Sequence, residues 1–142
     1  MRIIIASDHA GFDLKEEIKA FLSHDLGHYV KDMGVYSKEC ADYPPIAHQV
    51  ADEVSNNKFP FGILICGTGI GMSMVANRHK GIRAALCHDI LTARLSRLHN
   101  NANILAMGGR IIGVTLAKEM VREFLATPFE GGRHQRRIEQ ID

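Results

Sequence analysis

Short apolar runs alternate with longer stretches in which apolar positions recur every three or four residues, and Gly, Pro and Asn mark the boundaries. Residues 2–6, Arg-Ile-Ile-Ile-Ala, show no polar alternation and read as a strand buried on both faces. Leu14, Ile18, Phe21 and Leu22 then fall at helical spacing, with Gly27 placed to stop that helix. Residues 29–33 make a weaker strand. Asp42-Tyr43-Pro44-Pro45 opens a second helix, since proline is tolerated in a first turn, and the pattern runs towards Asn56-Asn57. Residues 61–66, Phe-Gly-Ile-Leu-Ile-Cys, form the strongest strand. The glycine-rich turn Gly67-Thr68-Gly69-Ile70-Gly71 follows it and leads into a helix reaching about Arg78. Strands at 82–87 and 104–107 and helices at 90–98 and 114–125 complete the pattern before Thr127-Pro128 and a basic tail.

Five alternations of strand and helix, with strands apolar throughout, predict an α/β three-layer sandwich. Its centre is a five-stranded parallel sheet, Rossmann-like, with helices on both faces. No linker, repeat or low-complexity segment divides the chain, so one domain spans 1–142. Ligands of such sheets bind beyond the carboxyl ends of the strands. The sequence puts Ser7-Asp8-His9, Gly34, Cys66-Gly67-Thr68-Gly69, His88-Asp89 and Gly108-Gly109-Arg110 there, so polar chemistry gathers on one rim.

Apolar residues make up 46% of the chain and charged residues 23%, an ordinary globular composition. No apolar run approaches the roughly 18 residues of a membrane span. Residues 2–6 meet Asp8 too soon for a signal-peptide core of roughly 7–15 residues. Cys40, Cys66 and Cys87 are odd in number and lack Cys-x-x-Cys spacing, which argues against a disulfide framework and for a reducing cytoplasm. The net charge of +1 hides an asymmetry: residues 1–60 carry ten acids and six bases, residues 61–142 six acids and eleven bases. A basic half suits an anionic ligand, and equally a solvated face. With 6% aromatics and no interleaving of basic and aromatic residues, a nucleic-acid surface has little support.

Cys-Gly-Thr-Gly-Ile-Gly is the most informative segment. Glycines let the backbone approach a ligand, and amides at a helix N-terminus point at negative charge. A thiol placed there, Cys66, ionises more readily than an ordinary cysteine; the plainer reading is a small buried apolar residue beside tight strand–helix packing. A dinucleotide fingerprint requires G-x-G-x-x-G, whereas this turn reads G-x-G-x-G, with Asp89 in rough position for a ribose contact. Asp8 is either a helix cap or, with His9, part of a site. His99 ends a helix, where the dipole favours it, or serves as a general acid/base. His9, Cys66 and His99 offer zinc-type donors, but no two share local ligand spacing on one element, and no metal is expected. Arg133, Arg136 and Arg137 are a solvated run or a phosphate clamp.

Taken in order, Ser7-Asp8-His9-Ala10-Gly11-Phe12, Asp42-Tyr43-Pro44, Ile65-Cys66-Gly67-Thr68-Gly69-Ile70-Gly71, Leu95-Ser96-Arg97-Leu98-His99-Asn100, Gly109-Arg110 and Glu130-Gly131-Gly132-Arg133-His134-Gln135-Arg136-Arg137 span nearly the whole chain. Together they resemble the type B ribose-5-phosphate isomerases and their galactose- and allose-6-phosphate isomerase relatives. The resemblance implies a cofactor-free aldose–ketose isomerase of a phosphorylated sugar in the pentose phosphate pathway. It implies that Cys66 is the base moving a proton between C1 and C2 through a cis-enediolate. Amides of Gly67, Thr68, Gly69, Ile70 and Gly71 would then stabilise the oxyanion, typically ~3–4 kcal/mol per donor. Thr68 would lie against the thiol, and His99, with Asp8 nearby, would open the furanose ring. His9, Arg110, Arg133 and Arg137 would hold phosphate, Asn100 would meet sugar oxygens, and Tyr43 would line the pocket. Some relatives use a carboxylate nine positions after the cysteine; here that position is Val75, which favours the thiol. A homodimer, or a dimer of dimers, is implied, with segment 130–142 reaching the partner and some arginines supplied across the interface. Galactose- or allose-6-phosphate isomerisation is the alternative activity, and a non-catalytic sugar-phosphate sensor or a metal-dependent hydrolase are more distant ones.

Overall fold

The computed structural model describes residues 1–142. Five strands, β1 (Arg2–Ser7), β2 (Tyr29–Asp32), β3 (Phe61–Cys66), β4 (Ala84–Leu86) and β5 (Ile104–Gly108), form one parallel sheet in the order β2-β1-β3-β5-β4. The helices are α1 (Phe12–Ala20), α2 (Tyr43–Ser55), α3 (Ile70–Ala76), α4 (Ile90–Asn100), α5 (Val114–Ala126) and α6 (Arg133–Ile138). The predicted three-layer α/β sandwich is the observed one. No helix is long and apolar enough to cross a membrane.

Alternation along each strand divides the core in two. Ile3, Ile5, Ile63, Ile65, Leu105 and Met107 pack with α1, α5 and Ala93 of α4. Ile4, Ala6, Leu64, Cys66, Ile104 and Ala106 face α2 and α3 instead. Cys66 therefore points to the α2/α3 side. The chain crosses from β1 outward to β2 and back to β3, so the strand order reverses between β1 and β3. A crevice opens above such a switch point, and the ends of these two strands carry Asp8-His9 and Cys66-Gly67.

Some boundaries differ from the pattern-based expectation. The first helix changes after Ala20 into a π-helical turn over Phe21–Asp25, and Gly27 follows with φ +68°. Phe21 and Leu22 are buried either way, so apolar spacing alone does not distinguish the two windings. β4 is three residues long, not six, and α3 stops at Ala76. Asn77 follows the last residue of α3, and its amide side chain donates to the Ala84 carbonyl (2.9 Å) and accepts from its N–H (2.8 Å), while the Arg83 N–H just before β4 goes to the Asn103 side chain (2.8 Å). A side chain thus occupies part of the sheet edge. The tail, read as a basic run that could start a solvated helix, folds as α6 against the end of α4.

Candidate active site

The β1/β3 crevice is assembled by short local contacts. Asp8 Oδ1 accepts the N–H groups of Ala10 and Gly11 (3.0 and 3.1 Å), capping a single 3₁₀ turn over His9–Gly11. That turn lies on β3: a Cβ on Gly11 would sit 2.4 Å from the Ile65 carbonyl oxygen. His9 Nδ1 accepts from the Ala41 N–H at 3.2 Å, which assigns the neutral ring's proton to Nε2 and leaves that nitrogen a donor. Cys66 is 5% exposed, and its Sγ accepts the Gly69 N–H at 3.2 Å. Gly69 has φ +79°, and a Cβ there would lie 2.6 Å from Leu86 and 2.8 Å from the Met107 backbone, so glycine is required on two counts. The ring of Tyr43 lies where a Cβ on Gly71 would be, 2.5 Å from it.

The Thr68 hydroxyl accepts from the Ile70 N–H (3.3 Å), and the thiol takes the Gly69 amide. With Gly69 and Ile70 engaged inside the turn, the amides of Gly67, Thr68 and Gly71 make no hydrogen bond within the chain. Arg110 follows the Gly108-Gly109 turn at the end of β5, with Nη1 3.5 Å from a Cβ built on Gly67, and it has no acidic partner. The turn itself is held by Gly109 N–H to the Cys66 carbonyl (2.8 Å) and Gly108 N–H to His88 Nε2 (3.2 Å). Asp89, weighed as a ribose contact, caps α4 by accepting from Thr92 N–H at 2.7 Å.

The second half of the expected site is elsewhere. α4 runs antiparallel to the strands, so its last residues, His99 and Asn100, stand beside the amino ends of β4 and β5. Asn100 lines a cleft with Arg83, Ala84 and Ala102, and Glu130 N–H bonds the Leu98 carbonyl. α6 brings Arg133 and Arg137 to that same end. The length of β5 separates this group from Cys66, about 13 Å at about 3.3 Å per residue. Reading His99 and the tail arginines onto the Cys66 rim is therefore corrected, as is Asp8 beside His99. Within one chain, Asp8, His9, Tyr43, Cys66 to Gly71 and Arg110 come together, while His99, Asn100, Arg133 and Arg137 form a separate cluster.

That cluster also contains Glu130 and His134, which belong to the C-terminal motif but take no role from the sequence alone. The His134 ring stacks on His99 with centroids 4.3 Å apart and planes 12° from parallel, and its Nε2 is buried without a hydrogen-bond partner, 3.7 Å from Glu130 Oε1. Burial pushes His134 below the ordinary histidine range, and the neighbouring His99 adds to it; Glu130 pulls the other way, while Arg133 and Arg137 push further down. Donor atoms of His99, Glu130 and His134 lie within 4.8 Å of one another. The surrounding arginines give this place a field that favours an anion over a metal cation.

The fold and this rim define an open α/β protein with a thiol set in an amide-rich turn above the sheet's switch point. The chain belongs to the Ribose/Galactose Isomerase family, whose sequence profile matches residues 3–141. It is 49% identical over 140 residues to ribose-5-phosphate isomerase B of Escherichia coli K12, covering 99% of this chain and 93% of that one. The structure of a ribose 5-phosphate isomerase from Thermotoga maritima superposes with a TM-score of 0.97 at 56% identity, covering 99% and 97% of the two chains. Ribose-5-phosphate isomerase B from Mycoplasma genitalium, solved with bound ribulose-5-phosphate, gives 0.93 at 46% identity over 99% and 93%.

Proposed function

We propose that this chain interconverts D-ribose 5-phosphate and D-ribulose 5-phosphate without a cofactor, at sites shared between two copies of itself. The observation that carries the reading is Cys66, its Sγ facing the Gly67–Gly71 turn at the β1/β3 switch point, in a chain this similar to ribose-5-phosphate isomerases. In the open-chain aldose, Cys66 as thiolate takes the proton from C2. Negative charge develops on O1, where the unengaged amides of Gly67, Thr68 and Gly71 receive it. The thiol returns its proton to C1 of the cis-enediolate while the O2 hydroxyl proton passes to O1, which yields the ketose. His9 Nε2 and Arg110 bind phosphate oxygens from the same chain, and Tyr43 closes one wall.

His99 of a second copy opens the furanose, Asn100 meets the sugar oxygens, and Arg133 and Arg137 complete the phosphate site. Two features support a second copy. The arginines have no acidic partner in their own chain. Exposed apolar side chains also border the Cys66 rim: Ile70 and Met74 on α3, Leu86 on the open edge β4, and Ile111 after β5. Free, unpaired Cys40, Cys66 and Cys87 suit the reducing cytoplasm where such a thiol stays active.

Complementation tests this directly. Cys66→Ala and His99→Ala are each inactive alone. After subunit exchange of equal amounts, half the dimers are mixed, and each has one intact site, so about a quarter of wild-type turnover returns. A mixture that stays dead, with mixed dimers demonstrated, overturns the shared site. Wild-type protein that turns over only allose or galactose 6-phosphate keeps the mechanism and changes the substrate.

A further inference from the structure

Outside the rim, α2 and the turn after α3 bring together three side chains with no part in the chemistry above. Asp52 and His48 lie one helical turn apart on α2, and His79 follows α3. Asp52 Oδ1 lies 3.0 Å from His79 Nδ1, so the carboxylate favours the proton on that nitrogen. With that nitrogen carrying the proton, Nε2 of the neutral His79 ring holds a lone pair, and it faces His48 Nδ1 at 2.7 Å. The two rings are tilted by 59°, with centroids 5.0 Å apart.

We propose that His48 and His79 bind a divalent transition-metal ion, with Zn²⁺ as the probe, and that Asp52 positions His79 for it. Two imidazole nitrogens converging on one point suit zinc or copper and not the oxygen-seeking magnesium or calcium. A carboxylate on the far nitrogen of a ligating histidine fixes its tautomer and raises its basicity. Tetrahedral zinc with nitrogens at about 2.0–2.1 Å needs its donors about 3.3 Å apart, so the rings part by about 0.6 Å from their present 2.7 Å contact. His48 is exposed, and the remaining positions are open to water. The single negative charge among the three is that of Asp52, which favours a cation.

The full-length, metal-stripped protein is titrated with Zn²⁺ by calorimetry, beside His48→Gln, His79→Gln, Asp52→Asn and Glu130→Gln variants whose folding is checked by circular dichroism. One zinc per chain disappears in either histidine variant. Asp52→Asn weakens it by about 10–100-fold, as loss of an outer partner does. Glu130→Gln leaves it unchanged, and isomerisation is unaffected in both histidine variants. Zinc bound with unchanged stoichiometry and affinity in folded His79→Gln and His48→Gln would assign the ion to the cysteines or the His99 cluster and overturn the proposal. Absence of binding by the wild type at millimolar zinc overturns it equally.

Discussion

Gly11→Ala isolates the contact that seats Asp8 and His9 on the strand carrying Cys66. Gly11 has ordinary dihedrals (φ −97°), so backbone strain does not enter and the methyl group's space decides the outcome. The new Cβ would lie 2.4 Å from the Ile65 carbonyl oxygen, 2.7 Å from its carbon and 2.8 Å from its Cγ2. Two of those atoms are strand backbone, held on both sides by β1 and β5, and cannot rotate away. A tolerable carbon–oxygen contact is near 3.2 Å, so the 3₁₀ turn has to lift by about 0.8 Å, a displacement of the size that costs ~100-fold when it separates reacting groups. Overpacking of this kind costs about 1–3 kcal/mol, which for a chain of this length lowers Tm by roughly 3–12 °C. The assay is kcat for ribose 5-phosphate, followed as ketose formation, with Tm from calorimetry. Gly113→Ala is the control, because nothing lies within 4 Å of its Cβ; it costs under ~1 kcal/mol, through the helix cap alone. A Gly11→Ala enzyme with wild-type kcat and Tm would refute the claim that this turn is seated by steric contact on β3.

Four further outcomes follow from other parts of the molecule. Lys15 is fully buried and donates to both Asp32 carboxylate oxygens (2.8 and 2.7 Å) and to the Val35 carbonyl, so Lys15→Met strips a buried pair of its cation and lowers unfolding free energy by about 3–5 kcal/mol in urea melts. Burial alone would push the Asp32 carboxyl up, but Lys15, Lys19 and the Gly34 amide hold it below its ordinary value; its stabilisation is therefore full above about pH 3.9 and fades as pH falls through the depressed value, a loss that Asp32→Asn removes from an acid titration. Arg133→Ala and Arg137→Ala raise KM strongly with little change in kcat, and unchanged saturation by substrate would show the tail to be merely solvated. His88→Ala deprives Gly108 N–H of its acceptor and loosens the turn bearing Arg110, so KM rises several-fold, consistent with about 0.5–1.5 kcal/mol for one hydrogen bond.

Much of this architecture is legible in the chain because the strands are apolar on both faces and the turns are marked by glycine. The β3 strand, the glycine-rich turn and the Asp8-His9 pair fall where reading strand ends puts them. What pattern alone conceals is register and direction. Ile18, Phe21 and Leu22 satisfy an α and a π winding alike. Lys15 reads as a surface position on α1 until β2 supplies Asp32 seventeen residues on. The Thr68 hydroxyl accepts from the Ile70 N–H, a bond that apolar spacing does not foretell. The misplacement of His99 is different in kind, because topology contains the answer. A helix returning between parallel strands ends at their amino edge, so the residues at the end of α4 cannot share a rim with the end of β3.

That separation gives the proposed dimer its logic. A two-fold axis pairs the same surface on both copies, and where that axis runs across the strands one end of the first sheet meets the other end of the second. With the axis running across the strands, the roughly 13 Å of β5 that divides Cys66 from His99 within a chain becomes the offset that brings each thiol level with its partner's imidazole. In the proposed dimer each copy would supply the base to one site and the ring-opening histidine and tail arginines to the other, and no isolated chain would hold a whole site. The open edge at β4 bears the exposed Leu86, and Ile70 and Met74 are exposed on α3, apolar surface that a second copy would cover. Activity in this arrangement depends on protein concentration: specific activity falls on dilution at the same point at which the sedimenting species changes from dimer to monomer. A dilute monomer that retains full specific activity would require His99 to reach Cys66 within one chain, against the direction of α4.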